Sequence, residues 1–293
     1  MSMTERISTL GRLLDAVREQ RQAWRLDDKK ELWFRGESKD YPESLLRPEL
    51  YRPRKRDGKV QPLRNIEELL DVESDLYEEF KRCADQLREG TLDSEYWDWD
   101  SYFLLQHHGG AARLLDWSDG VLMALHFAIR NPLEDEVGKD AYVYVLEPDR
   151  LNGKLRNLHK DFDTQGKWKR YIEEKKPGDG LNQHDWEDAY LPSDGDERAD
   201  FPIPSPPLVL DFPHITRRVA AQRSRFMMFG TEYDFLEKEY KEPDSVLLRL
   251  SVDGKSRKSL RKELRDAGVT ESVVYPDLDG LGRELRQLWE ERR

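Results

Sequence analysis

The sequence predicts an α+β fold, a mixed central sheet with helices around it. Three observations carry this. Short β-branched and aromatic runs lie between segments of helical periodicity, the two kinds of segment interleave irregularly, and nothing recurs at the fixed period of a solenoid. The 293 residues read as one domain. Within it, residues 1–30 form a leading helix and linker, 150–205 a polar excursion, and 245–293 a C-terminal strand-helix-strand-helix part.

In chain order, Ile7, Leu10, Leu14 and Val17 have helical spacing behind Thr4, which can cap a helix over 4–19. After a charged stretch, Leu32–Gly36 reads as a short apolar strand ending at glycine, and Tyr41–Arg54, with three prolines, as an irregular loop. From Asn65 to Leu87, Ile66, Leu69, Leu70, Leu76, Tyr77, Phe80 and Cys83 share one face of a long amphipathic helix, where Cys83 reads as a small buried hydrophobe. A further helix over 94–108 ends at Gly109-Gly110, which suits a left-handed cap.

Ser118 can cap the next helix, whose body Val121–Ile129 is apolar nearly all round and belongs in the core. Asn131-Pro132 stops it, and Ala141–Leu146 suits an interior strand. Lys, Asp, Glu, Gly and Asn dominate the excursion, which has room for one short helix near Lys167–Glu174. Strands are expected at Leu208–Leu210, around Arg225–Phe229, at Val246–Val252 and at Ser272–Tyr275, with helices at Ser259–Ala267 and Leu281–Glu290.

Composition narrows the function classes. Forty-nine basic against sixty acidic residues leave a net charge of -11, which discourages nonspecific polyanion binding while permitting a local basic pocket. Eight Trp, twelve Tyr and ten Phe supply apolar area that a disordered acidic chain lacks. No apolar run is long enough to span a membrane, and the charged N-terminus has no signal-peptide core, so a cytoplasmic protein without membrane contact is expected. A single cysteine makes neither an internal disulfide nor a cysteine metal cluster, and adjacent His107 and His108 lack one-face ligand spacing, so no metal is expected.

Polar clusters interrupt buried patterns at three places. Arg35 ends a buried strand, where it either makes a forked anion contact or pairs with a carboxylate such as Asp116, and Gly36 would let a ligand approach the backbone. Gln106–Ser118 gathers imidazoles, a guanidinium, a carboxylate and a hydroxyl. In it, His107 at a helix C-terminus is expected to favour its protonated form and act as an acid, a base or a cap donor. Arg113 and Asp116 sit at a pocket mouth or form a local ion pair, Trp117 is placed to stack on a ring, and Ser118 is a cap and a ligand contact. The third cluster, Gln222–Phe226, holds Gln222, able to read an amide or ribose or to satisfy a strand edge.

These residues resemble the FRG-domain family, named for an aromatic residue followed by Arg-Gly. Trp33–Gly36 matches the naming motif, Leu46-Arg47-Pro48 and Arg52 the stretch after it, Gln106–Gly109 with Arg113–Trp117 the longest motif, and Ala124–Ala128 the helix behind it. Gln222 and Phe226 are similar to a later motif and Val273–Leu281 to the closing one.

A weaker similarity links the chain to ADP-ribosyltransferases of the Arg-Ser-Glu type. It implies an ADP-ribosyltransferase-like core with NAD as cofactor and a protein or nucleic-acid acceptor. The setting it implies is a bacterial toxin or anti-phage effector. Arg35, His107 and Asp116 would then be catalytic, and Arg35, Gly36, Arg113, Trp117, Ser118, Gln222 and Phe226 would bind the nucleotide. The late motif reads Gln222-Arg223-Ser224 without the family's Glu, so Asp116 would supply the carboxylate if the fold brings it beside Arg35. The alternative is a noncatalytic ligand-sensing or protein-interaction module in which the same cluster holds the fold together.

Overall fold

The computed structural model describes residues 6–42, 45–56, 59–87, 97–130, 138–163, 188–210 and 217–292. Helix α1 (Leu10–Ala23) is capped by Thr9, whose side chain accepts the Arg12 N–H; Thr4 lies outside the described residues. Ile7 precedes the helix and forms a parallel bridge with Val252. Then come β1 (Trp33–Glu37), a small hairpin of β2 (Lys55–Arg56) and β3 (Lys59–Val60), α2 (Ile66–Leu87) and α3 (Trp97–His107). Gly109, at φ 91°, takes the left-handed position after α3.

β4 (Leu114–Ser118) follows, then α4 (Val121–Ile129), β5 (Ala141–Leu146) and α5 (Pro148–Asp163). The rest of the chain forms α6 (Gly195–Asp200), β6 (Leu208–Leu210), α7 (Arg217–Ala221), β7 (Ser224–Met228), α8 (Phe235–Lys241), β8 (Leu247–Val252), α9 (Arg257–Asp266), α10 (Glu271–Val274) and α11 (Leu278–Arg292).

The six long strands make one sheet in the order β6-β7-β4-β1-β5-β8. It was expected to be mixed. Every strand pairing is antiparallel, and only the Ile7–Val252 bridge at its edge runs parallel.

Side-chain alternation divides the core. One face of the sheet carries two separate helix clusters. Phe34, Val143, Val145, Leu250 and Val252 pack with α1, α4 and α9, whereas Leu114, Leu210 and Met228 pack with Tyr77 of α2 and Trp99, Tyr102 and Phe103 of α3. The opposite face, with Trp33, Leu115, Trp117, Tyr144 and Met227, is covered by Leu45–Tyr51, α5 and α8.

Several expectations change. Leu114–Ser118 form β4, so Ser118 is that strand's last residue rather than the cap of the next helix, and Gly120 occupies the cap position of α4. Residues 272–275 are not a strand, because the Val274 and Tyr275 N–H groups bond to Thr270 O and Glu271 O while Val274 is buried in the core, so packing overrides the β-propensity of the Val-Val-Tyr run. α5 begins just before the polar excursion and runs into it, held by buried Leu151 and Leu155. The short helix expected near Lys167–Glu174 lies outside the described residues.

On α2 the buried face is Leu69, Leu70, Glu73, Ser74 and Tyr77, and Leu76 is exposed. Cys83 is only half-buried, with its Sγ donating to Glu79 Oε1 at 3.4 Å.

Candidate functional site

β1 pairs with β5 along its whole length, and β4 with β7 along its whole length. Between β1 and β4 the register holds a single pair, Phe34 with Ser118. The two strands part beyond it, below the gap between the two helix clusters, and there a cleft of about 400 Å³ opens. This volume falls within the span of about 300–1,000 Å³ usual for small-molecule sites.

Arg35 bridges the split. Its Nη1 donates to Asp116 O at 2.7 Å, replacing a ladder bond that the parted strands cannot make, and its Nε donates to Glu37 Oε1 at 2.7 Å. Nη2 and a second Nη1 hydrogen have no acceptor among the described residues. The nearby Glu37 and Asp116 charges outweigh burial and raise the Arg35 pKa above its ordinary value, so it stays a cation. Arg52 also reaches Glu37 Oε1, at 3.5 Å.

Asp116 projects into the cleft and accepts a hydrogen bond of 2.7 Å from Gln106 Nε2. Its carboxylate is reachable by solvent, yet the walls strip enough water from it to raise its pKa above the usual range, with Arg35, Gln106 and Arg218 opposing that rise.

Glu37, Arg130, Arg218 and Ser224 line the cleft without having been singled out from the sequence. The Arg218 side chain makes no hydrogen bond or ion pair among the described residues, and its Nε is buried without a hydrogen-bond partner. A signal for it existed: Arg218 is four residues before Gln222, one helical turn, so the two fall on one face. Arg130 likewise stands four residues after His126, at the end of α4. The cleft thus holds three arginines against two carboxylates.

Of the expected site residues, Arg35, Gly36, Asp116, Ser118 and Gln222 line the cleft. The missing Cβ of Gly36 is required by packing, since one would stand 1.9 Å from Ala124 O of α4. Ser118 Oγ donates to Gln222 O at 2.8 Å and accepts the Gly120 N–H at 3.1 Å, tying the end of β4 to the chain before β7. Gln222 Nε2 reaches Val274 O at 3.3 Å.

The others go elsewhere. Arg113 is at no pocket mouth and pairs not with Asp116 but with Glu73, in full burial, because Arg113 enters β4 beside α2 and α3, where Glu73 and Tyr102 meet it. Trp117 borders the cleft, but its indole is buried in the core of the other face with Nε1 unpartnered, so it is not placed to stack on a ligand ring. Phe226 packs on Phe103 with ring centroids 4.6 Å apart.

His107 is not among the residues lining the cleft. Burial, with Arg218 and His108 adding repulsion, lowers its pKa to about 4. It is therefore neutral at pH 7, and desolvation outweighs the helix-end field that was expected to protonate it.

No described helix is long and apolar enough to cross a membrane. No curated protein and no solved structure matches the chain. Residues 30–137 match the family model of the FRG domain. That stretch holds β1, β4 and the cleft side chains Arg35, Asp116 and Arg130, while Arg218 and Gln222 lie beyond it. The split pair of strands that frames the cleft accordingly lies within the stretch that matches the FRG-domain model.

Proposed function

We propose that the cleft binds a phosphate-bearing nucleotide, NAD by the resemblance to ADP-ribosyltransferases, and acts on its glycosidic bond. The observation that carries this is the Arg218 guanidinium, without a hydrogen-bond or carboxylate partner among the described residues, in the same cavity as the open Nη side of Arg35. A guanidinium left without a carboxylate while its Nε is cut off from water suits a phosphate, which would restore the lost hydrogen bonds.

NAD would supply a ribose–nicotinamide bond whose rupture leaves positive charge on the ribose. Asp116 is the carboxylate reachable in the cleft, and Gln106 holds it in place. It would oppose that charge, in the role left open by the absence of Glu from the late motif. Arg35 and Arg218 would hold phosphate, and Gln222 would read a polar edge of the ligand. An effector acting on a protein or nucleic-acid acceptor in the cytoplasm, as a toxin or in anti-phage defence, is the setting that follows from this reading.

Incubation of the purified chain with NAD, with and without cell extract, tests it through nicotinamide release and label transfer. Release should fall by about a hundredfold in Asp116→Asn with NAD binding kept, a loss of the size seen when one preorganised electrostatic contact is removed. Failure of the wild-type chain to bind or cleave NAD would overturn the proposal in favour of the noncatalytic module.

A further inference from the structure

One wall of the cleft carries a cluster that Arg35 does not explain. Tyr275, after α10, has three guanidinium groups around its ring: Arg218 at 4.5 Å, Arg283 at 4.6 Å and Arg130 at 5.1 Å from the centroid. Arg283 is matched by Glu271, with Nε 3.2 Å from Oε2. Arg130 donates Nη1 to the Tyr275 hydroxyl, and neither Arg130 nor Arg218 is in an ion pair among the described residues. Both line the cleft. The negative face of the ring favours each cation singly, but cations gathered on one ring repel, and an anion between them would relieve that repulsion.

We infer that Arg130 and Arg218, set in place by Tyr275, form a second anion subsite beside Arg35, so that the cleft takes a diphosphate rather than a monophosphate. This rests on the reading of the cleft as a nucleotide site. Arg35 spends Nε on Glu37 and one Nη1 hydrogen on Asp116 O, which leaves it donors for one phosphate group. A second phosphate needs donors of its own, and Arg130 and Arg218 supply them. Tyr275 is a positioning residue: it touches the arginines, and Arg218 and Tyr275 both lie outside residues 30–137, so the segment after the FRG match completes the subsite.

Calorimetric titration of the full chain with inorganic phosphate and with pyrophosphate tests the inference. Pyrophosphate should bind at least about tenfold tighter, as expected for an added charge-assisted contact. Arg218→Gln should erase that preference, bringing pyrophosphate down to the affinity of inorganic phosphate. Tyr275→Phe, which keeps the ring, should retain most of the preference, and Tyr275→Leu should lose it. Pyrophosphate affinity unchanged in Arg218→Gln but abolished in Arg35→Gln would overturn the second subsite and leave the nucleotide reading standing. Absence of binding of either anion to the wild-type chain would overturn both.

Discussion

Glu73 of α2 and Arg113 before β4 form an ion pair from which water is wholly excluded. The carboxylate takes the Arg113 Nε, the Arg113 backbone N–H at 3.0 Å and the Tyr102 hydroxyl. The two Nη atoms donate to Phe229 O at 3.1 Å and Tyr190 O at 2.6 Å. With its carboxylate and guanidinium both satisfied in this way, the pair ties α2 and α3 to the end of β7. Glu73→Gln would strand the Arg113 charge without water, and the expected loss is about 3–5 kcal/mol in urea denaturation. A double Glu73→Leu, Arg113→Met variant should lose less than the single change, because no charge is left unmatched.

Gly36 is a position that side chains cannot share with α4. A Cβ there would stand 1.9 Å from Ala124 O and 2.6 Å from Ala128 N, both backbone atoms that no rotamer change can move. Gly36→Ala should therefore cost about 3 kcal/mol or more, at the upper end for overpacking, by lifting α4 from β1. Thermal unfolding followed by circular dichroism checks this, with a lowered midpoint expected.

His107 gives the protein an acid-sensitive margin. The folded chain keeps it neutral to about pH 4, whereas the unfolded chain protonates it near its ordinary 6.5. Unfolding between those values takes up a proton, so the stability held above pH 6.5 is lost as pH falls toward 4. Partial exposure limits the loss to about 2 kcal/mol, below the full linkage value. Melting temperatures measured across this window should fall less steeply in His107→Asn than in the wild-type chain; equal slopes would show that His107 titrates normally.

Local pattern determined much of this protein. The helices at 66–87 and 121–129, the strands at 141–146 and 247–252 and the glycine stop at Gly109 follow from periodicity, β-branching and backbone freedom, which act over one or two turns of chain. Arg35 and Asp116, which line the cleft, were legible as candidates because polar groups interrupted apolar elements there. What the sequence left open depended on contacts far apart in the chain. Val274 turned helical because the Val274 and Tyr275 N–H groups and the buried Val274 side chain found partners in that form.

The tertiary structure also decided which cations face the cleft. Arg113 and Arg35 look alike in sequence, one beside each strand of the split edge. Glu73, forty residues upstream of Arg113, draws Arg113 into the core, while the parting of β1 from β4 leaves Arg35 open on one side. Arg218 becomes a cleft residue because α7 carries it to the same cavity, and no carboxylate among the described residues pairs with it. A charge in a chain has no assigned partner until folding chooses between desolvating it with a counter-ion and leaving it at a cleft, and that choice separates the buried Arg113 from the arginines that line the cleft.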